Sequence, residues 1–198
     1  MIVLNSTYNS CFSFFNKNNC LYIKNDSGDI KKLSSNIYTY SATIDNLNVI
    51  HICFIDLKGV FNYCIYEDNN LLSISKLKLN GAIKKNKNLS LYVLNNSLNV
   101  FFAKHLNHNN YNIHHLYYNL KTYDLSYNII DDVYKSNNSI YKVKISNNEI
   151  ICSYNNTPTG EVKIQSVIFD NLSKSWLKFS NTKINNLLFN YCDSIKYE

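Results

Sequence analysis

The chain has 198 residues and a formal charge of +6, with an apolar fraction of 45% that suits one globular domain. Tyr (17) and Phe (10) are abundant while Gly (4) and Met (1) are scarce, a mixture that favours pleated sheet over helix. All 20 basic residues are lysine, spread along the chain apart from Lys84, Lys85 and Lys87, so nucleic acid is not expected as a partner: the usual reader of guanine edges and phosphates is missing.

No run approaches the roughly twenty apolar residues of a membrane helix, and Met1-Ile-Val-Leu-Asn-Ser lacks the basic start of a signal peptide. The expectation is therefore a cytoplasmic protein without a membrane partner. The six cysteines (Cys11, Cys20, Cys53, Cys64, Cys152, Cys192) lack C-x-x-C spacing and read as free thiols, several of them buried.

Taken in chain order, the segment Tyr8-Asn-Ser-Cys-Phe-Ser-Phe-Phe-Asn16 lines up with Tyr111-Asn-Ile-His-His-Leu-Tyr-Tyr-Asn119, so the chain is expected to begin near the third strand of a repeating unit. Ile37-Tyr-Thr-Tyr-Ser-Ala-Thr43 then opens the first internal unit. It continues through Leu47-Asn-Val-Ile50, Phe61-Asn-Tyr-Cys-Ile-Tyr66, a turn at Asp68-Asn-Asn70, and Leu72-Ser-Ile74. The second unit repeats the pattern from Leu89 to Leu94, through Leu98-Asn-Val-Phe101 and Tyr111–Tyr118, across a turn at Asn119-Leu-Lys121, into Tyr123-Asp-Leu125. The third runs from Ile140–Ile145 through Asn148-Glu-Ile-Ile151 and Val162–Phe169, across Asp170-Asn-Leu172, to Trp176-Leu-Lys-Phe179. Tyr141, Val143 and Ile145 share one strand face and Lys142 and Lys144 the other.

A period of about fifty residues with four strands in meander order is that of a propeller blade. The expected fold is a single all-β domain, 1–198: a β-propeller of about four four-stranded blades. Its approximate units are 36–85, 88–136 and 138–182, with a composite blade made from 1–30 and 183–198. Pairing N- and C-terminal strands, with Asn186-Leu-Leu-Phe-Asn-Tyr-Cys192 as an inner strand, would close the ring and leave no free edge. A part-ring completed by oligomerisation is the alternative.

The pattern resembles bacterial β-propeller repeat proteins, including tachylectin-like and related sugar-binding propellers. Ile168–Trp176 is similar to the Asp-box turn of sialidase-type propellers in the placing of Asp170 and Trp176, without the glycine which that turn uses. The resemblance implies a sugar held by stacking on an aromatic face while Asn or Asp bonds its hydroxyls.

Candidate chemistry is sparse. His105, His108, His114 and His115 are the densest group, but adjacent His114 and His115 must point to opposite sheet faces, so the four cannot share one metal. Glu67-Asp68 and Asp131-Asp132 are carboxylate pairs near strand ends, read as solvated turns before acid and base of a glycosidase. No cofactor or metal is expected, and four glycines (Gly28, Gly59, Gly81, Gly160) leave no phosphate-cradling loop. The expected function is a non-catalytic binding or interaction module for a glycan or a protein, with Trp176, Tyr117, Tyr118 and Asp170 as candidate ligand residues. The alternatives are a carbohydrate-active enzyme and a structural, oligomer-forming protein.

Overall fold

In a computed structural model of the chain, residues 1–7, 10–79, 86–135, 140–146, 149–157 and 163–179 are described. Several readings lie outside them: Tyr8 and Asn9 of the first aligned segment, Gly81, Lys84 and Lys85, Asn148, Gly160, Val162 at the start of a strand, and the run Asn186–Cys192. The described residues form sixteen strands. The first eight are β1 (Ile2–Asn5), β2 (Cys11–Lys17), β3 (Cys20–Lys24), β4 (Ile30–Ser35), β5 (Ile37–Ile44), β6 (Ile50–Asp56), β7 (Val60–Glu67) and β8 (Asn70–Lys78). They are followed by β9 (Asn86–Leu94), β10 (Ser97–Asn107), β11 (Asn110–Asn119), β12 (Leu125–Tyr134), β13 (Tyr141–Ser146), β14 (Glu149–Asn155), β15 (Ile164–Asp170) and β16 (Ser175–Lys178).

β1–β4 and β5–β8 are separate four-stranded antiparallel meanders. The third sheet runs β16-β15-β14-β12-β11-β10-β9, with β13 paired to β14. A single bridge, Tyr134 to Asn155, links β12 to β14, so this sheet is two four-stranded meanders joined at one point. Each meander therefore has the strand number and order of a propeller blade.

The expected ring closed by N- and C-terminal pairing is not found. Ile2–Asn5 pairs with Phe14 through Cys11, so the N-terminal segment supplies its own inner strand, and Ile2–Ser35 forms a whole sheet in place of half a composite blade. No sheet among the described residues contains strands from both ends. β1 is only four residues long, and no repeated apolar motif announces it.

Turn chemistry explains how a chain with four glycines makes so many hairpins. Asn18-Asn19, Asp68-Asn69 and Asn95-Asn96 each occupy a two-residue connection with φ between 48° and 61° at both positions. That is the type I′ turn whose twist matches antiparallel strands, and Asn and Asp are the side-chain-bearing residues that tolerate it best. A second device recurs at Asp45 and Asp56. Oδ1 of Asp45 accepts the amides of Leu47 (2.9 Å) and Val49 (2.8 Å), and Oδ1 of Asp56 those of Lys58 (2.8 Å) and Val60 (2.9 Å). Asn48 (φ 62°) and Gly59 (φ 81°) take the left-handed position in these loops.

Two compact units divide the chain near the β9–β10 hairpin. In the first, residues 1–94 and 98–100, Phe14, Leu21 and Ile23 of the β1–β4 sheet join Ile37, Ala42, Ile50, Ile52 and Phe54 of the β5–β8 sheet in one apolar cluster. β6 is buried on both faces, which explains its continuous apolar run. In the second, Phe101, Ile113, Val133, Ile150, Tyr154 and Val167 are buried.

Candidate functional site

The aromatic residues singled out in the sequence lie together in the second unit. Trp176 on β16 sits 5.1 Å from His115, 5.2 Å from Phe169 and 5.9 Å from Phe101, ring centre to ring centre. Its indole nitrogen is buried without a hydrogen-bond partner among the described residues. Tyr117 is buried, 5.7 Å from Phe169, and its hydroxyl accepts a hydrogen bond from Lys174 Nζ at 3.0 Å. These rings bring two meanders of the unit together; their surroundings are those of packed core aromatics. Tyr118 is half-buried, with its ring 6.4 Å from that of Tyr123.

Asp170 stands at the β15–β16 turn. Its carboxylate accepts the amides of Leu172 (3.0 Å) and Ser173 (3.2 Å) and the Ser173 hydroxyl (2.5 Å), bonds that hold it below the usual carboxylate range. Lys174 takes the left-handed backbone position in this turn, at φ 54°.

The histidines separate. His105 Nε2 bonds the carbonyl of His108 across the β10–β11 turn (2.7 Å). His115 stacks on Phe101 at 4.5 Å, whereas His114 stacks on Phe102 at 5.0 Å and bonds the Tyr127 hydroxyl through Nδ1 at 2.5 Å. Burial pushes His114 down to about 4 and His115 down to about 3. Among the described residues no three His, Cys, Asp or Glu side chains converge on a metal site. Asp131 accepts from Tyr154 Oη (2.9 Å) and Lys178 Nζ (2.6 Å), and Asp132 bonds Asn112. This second carboxylate pair is thus engaged in structure.

The other pair, Glu67-Asp68, lines a cleft of about 410 Å³ in the first unit. Phe12 of β2 contributes to one wall. The β5–β6 loop contributes Leu47, Asn48 and Val49, and the end of β7 with its turn contributes Tyr66, Glu67, Asp68 and Asn69. Several of these groups are held in place. Asn48 Oδ1 accepts from the Thr7 amide (2.9 Å), Asn69 Oδ1 accepts from the Tyr66 hydroxyl (3.1 Å), and the Asn69 carbonyl accepts from Lys31 Nζ. Burial pushes the Tyr66 hydroxyl up, so it stays a donor at neutral pH. Aromatic and aliphatic surface beside fixed amide groups and two carboxylates is the make-up of a small-ligand site. Only Glu67 and Asp68 had been singled out in the sequence. The Asp-x-x-Asn spacing at 45–48 and the Asp-Asn turn at 68–69 were the signals that these segments form ordered strand ends.

No family model matches the chain, and no curated protein matches it in sequence. Solved structures do match in fold. A neuraminidase-like protein of A/little yellow-shouldered bat/Guatemala is 14% identical with a TM-score of 0.60, over 89% of this chain and 56% of that one. An alpha-L-arabinofuranosidase from Clostridium thermocellum is 10% identical with a TM-score of 0.52, over 91% and 72%. The WD40 domain of SCAP from fission yeast is 10% identical with a TM-score of 0.51, over 95% and 42%. The chain spans about half the length of the neuraminidase-like proteins it matches. The fold is β-propeller-like, related to several kinds of propeller and not to tachylectin-like ones in particular.

Proposed function

We propose that this chain is a saccharide-binding module and that the cleft between Phe12, the 45–49 loop and the 66–69 hairpin is its binding site. One observation carries the reading: Tyr66 and Phe12 offer ring surface in the same cleft to which Asn48 and Asn69, both fixed by hydrogen bonds, contribute. A sugar needs both, an apolar surface for its C–H face and preorganised polar groups for its hydroxyls. The volume of about 410 Å³ suits a small ligand such as one or a few sugar rings.

The experiment is a glycan array followed by calorimetry with the best ligand. Tyr66→Ala and Asn48→Ala should each weaken binding at least about tenfold, the loss of one stacked ring or one well-made polar contact. Saturable binding that neither substitution weakens would place the ligand elsewhere; no binding to any saccharide would turn the search to a protein ligand.

A second reading, a carbohydrate-active enzyme, is favoured by Glu67 and Asp68 in the same cleft, and by the activity named for the arabinofuranosidase of similar fold. A glycosidase needs its two carboxyl groups on either side of the scissile bond, whereas these are neighbours at one strand end. Release of reducing ends from the bound glycan, abolished by Glu67→Gln, would establish catalysis; intact glycan after long incubation would leave binding alone.

A further inference from the structure

The 45–49 loop that forms part of the cleft is tied to a buried chain of polar side chains, and that chain has no counterpart at the other loop of the same design. Tyr63 Oη lies 2.8 Å from His51 Nδ1, and His51 Nε2 lies 3.2 Å from Asp45 Oδ2. His51 is 2% and Tyr63 1% exposed. The other oxygen of the same carboxylate, Oδ1, accepts the amides of Leu47 and Val49, while the Asp45 carbonyl accepts that of Asn48 at 3.1 Å. One carboxylate thus holds the buried imidazole on one side and the backbone of the cleft loop on the other.

The hydrogen-bond inventory fixes the roles. A carboxylate only accepts, so a neutral imidazole donates Nε2–H to Asp45 and its Nδ1 accepts from the Tyr63 hydroxyl. Every ring nitrogen is then satisfied without charge, as burial requires. Asp56 supplies the comparison: it caps its loop through the same pair of amides, with no side chain bonded to its carboxylate among the described residues. In the next repeat the position aligned with His51 is Phe102, and the connection aligned with the Asp45 loop is the two-residue Asn95-Asn96 turn. Within these repeats the histidine goes with the capped loop.

We propose that Asp45, His51 and Tyr63 form a positioning chain that fixes the 45–49 loop, and with it Leu47 and Asn48, in the geometry that receives the ligand. The proposal rests on the cleft being the saccharide site, but its structural half is independent of that. None of the three residues need touch the ligand. His51 anchors the free oxygen of Asp45, so that the carboxylate cannot swing away from the loop amides, and Tyr63 holds the imidazole in the tautomer and orientation that does so.

The test uses the whole chain with His51→Phe, which installs the residue of the next repeat, and Tyr63→Phe, which removes one hydroxyl. Amide hydrogen exchange is read for Leu47 and Val49, with Lys58 and Val60 of the Asp56 loop as internal reference, alongside calorimetry with the glycan found on the array. The expected result is exchange at Leu47 and Val49 faster by about tenfold or more, the reference amides unchanged, and glycan affinity down about threefold to tenfold in both variants. Unchanged exchange at Leu47 and Val49 would overturn the proposal. So would equal acceleration at the reference amides, which reports general loosening, or lost affinity without faster exchange. If the unmodified protein binds no saccharide, the cleft reading fails, and the exchange data still decide whether the chain fixes the loop.

Discussion

Replacing Trp176 separates packing from ligand contact at the residue that the sequence favoured as a sugar platform. The indole touches Phe101, His115 and Phe169 with ring centres 5.1 to 5.9 Å away. Each such aromatic pair is worth about 0.5–1.5 kcal/mol beyond burial, and truncating a fully buried Trp to Ala typically costs about 3–5 kcal/mol, an upper bound for the half-buried Trp176. Against a total stability of about 5–15 kcal/mol, Trp176→Ala should remove a substantial part of the stability of the second unit. Trp176→Phe should behave differently. It gives up roughly 1–2 kcal/mol of packing, but it also removes a buried N–H that has no acceptor among the described residues, a defect that costs about 1–3 kcal/mol. The two nearly cancel, so Trp176→Phe should lie within about 1 kcal/mol of the unmodified chain. Urea unfolding followed by circular dichroism measures both, and in the unmodified protein the single tryptophan gives a second, local probe of the same transition. A Trp176→Ala cost under about 1 kcal/mol would refute the packing argument. Loss of glycan binding in a Trp176→Phe protein of unchanged stability would move the binding site from the cleft to this cluster.

At the β9–β10 turn, Asn96→Gly should be close to neutral, while Asn96→Ala should cost about 1 kcal/mol because φ is 58° there; equal urea midpoints for the two would refute the turn assignment. Ser153 and Ser166 share a buried hydroxyl pair at 2.7 Å, so each single Ser→Ala change should cost about 1–2 kcal/mol and the double change clearly less than their sum; strict additivity in a double-mutant cycle would count against the bond. His114 and His115 are held at about 4 and about 3, below their ordinary 6.5, so the unfolded chain takes up more protons than the folded one as pH falls below about 6.5. Stability should be full above that pH and drop by about 1–2 kcal/mol per histidine on going to pH 5. The urea midpoint at pH 7 and pH 5 measures the drop, which His115→Phe should reduce; a midpoint independent of pH would overturn the burial argument.

The strands were legible because two physical regularities are written into the letters: the alternation of Tyr141, Val143 and Ile145 with Lys142 and Lys144, and the fifty-residue return of Leu47-Asn-Val and Leu98-Asn-Val. β1 was not legible, since Ile2–Asn5 is too short to show a period and belongs to no repeated motif. That omission produced the false composite blade: with the inner strand unseen, the C-terminal run seemed needed to complete the sheet. Aromatic function was not legible either. A ring stacked on a sugar and a ring stacked on Phe169 have the same spacing along a strand; which one Trp176 makes depends on whether another meander covers that face. The cleft escaped for a related reason: Phe12 and Asn69 come to line one cleft only through the packing of two sheets, and the turn motif at Asp68-Asn69 does not say which residues of another sheet lie beside it.

Asparagine links the legible part to the hidden part. Its abundance reads in the sequence as compositional bias, yet eight of the twelve non-glycine residues with positive φ among the described residues are asparagines. They stand where other chains use glycine. A glycine at such a turn contributes only backbone, whereas an asparagine meets the same conformational demand and also places an amide at the end of the strands. Asn48 and Asn69 do both: each takes the left-handed position its loop requires, and each lines the cleft with its side chain oxygen already bonded, to Thr7 and to Tyr66. The residues that shape these connections are therefore also the source of polar groups at the proposed site, and a chain with four glycines acquires a polar rim as a consequence of how it turns.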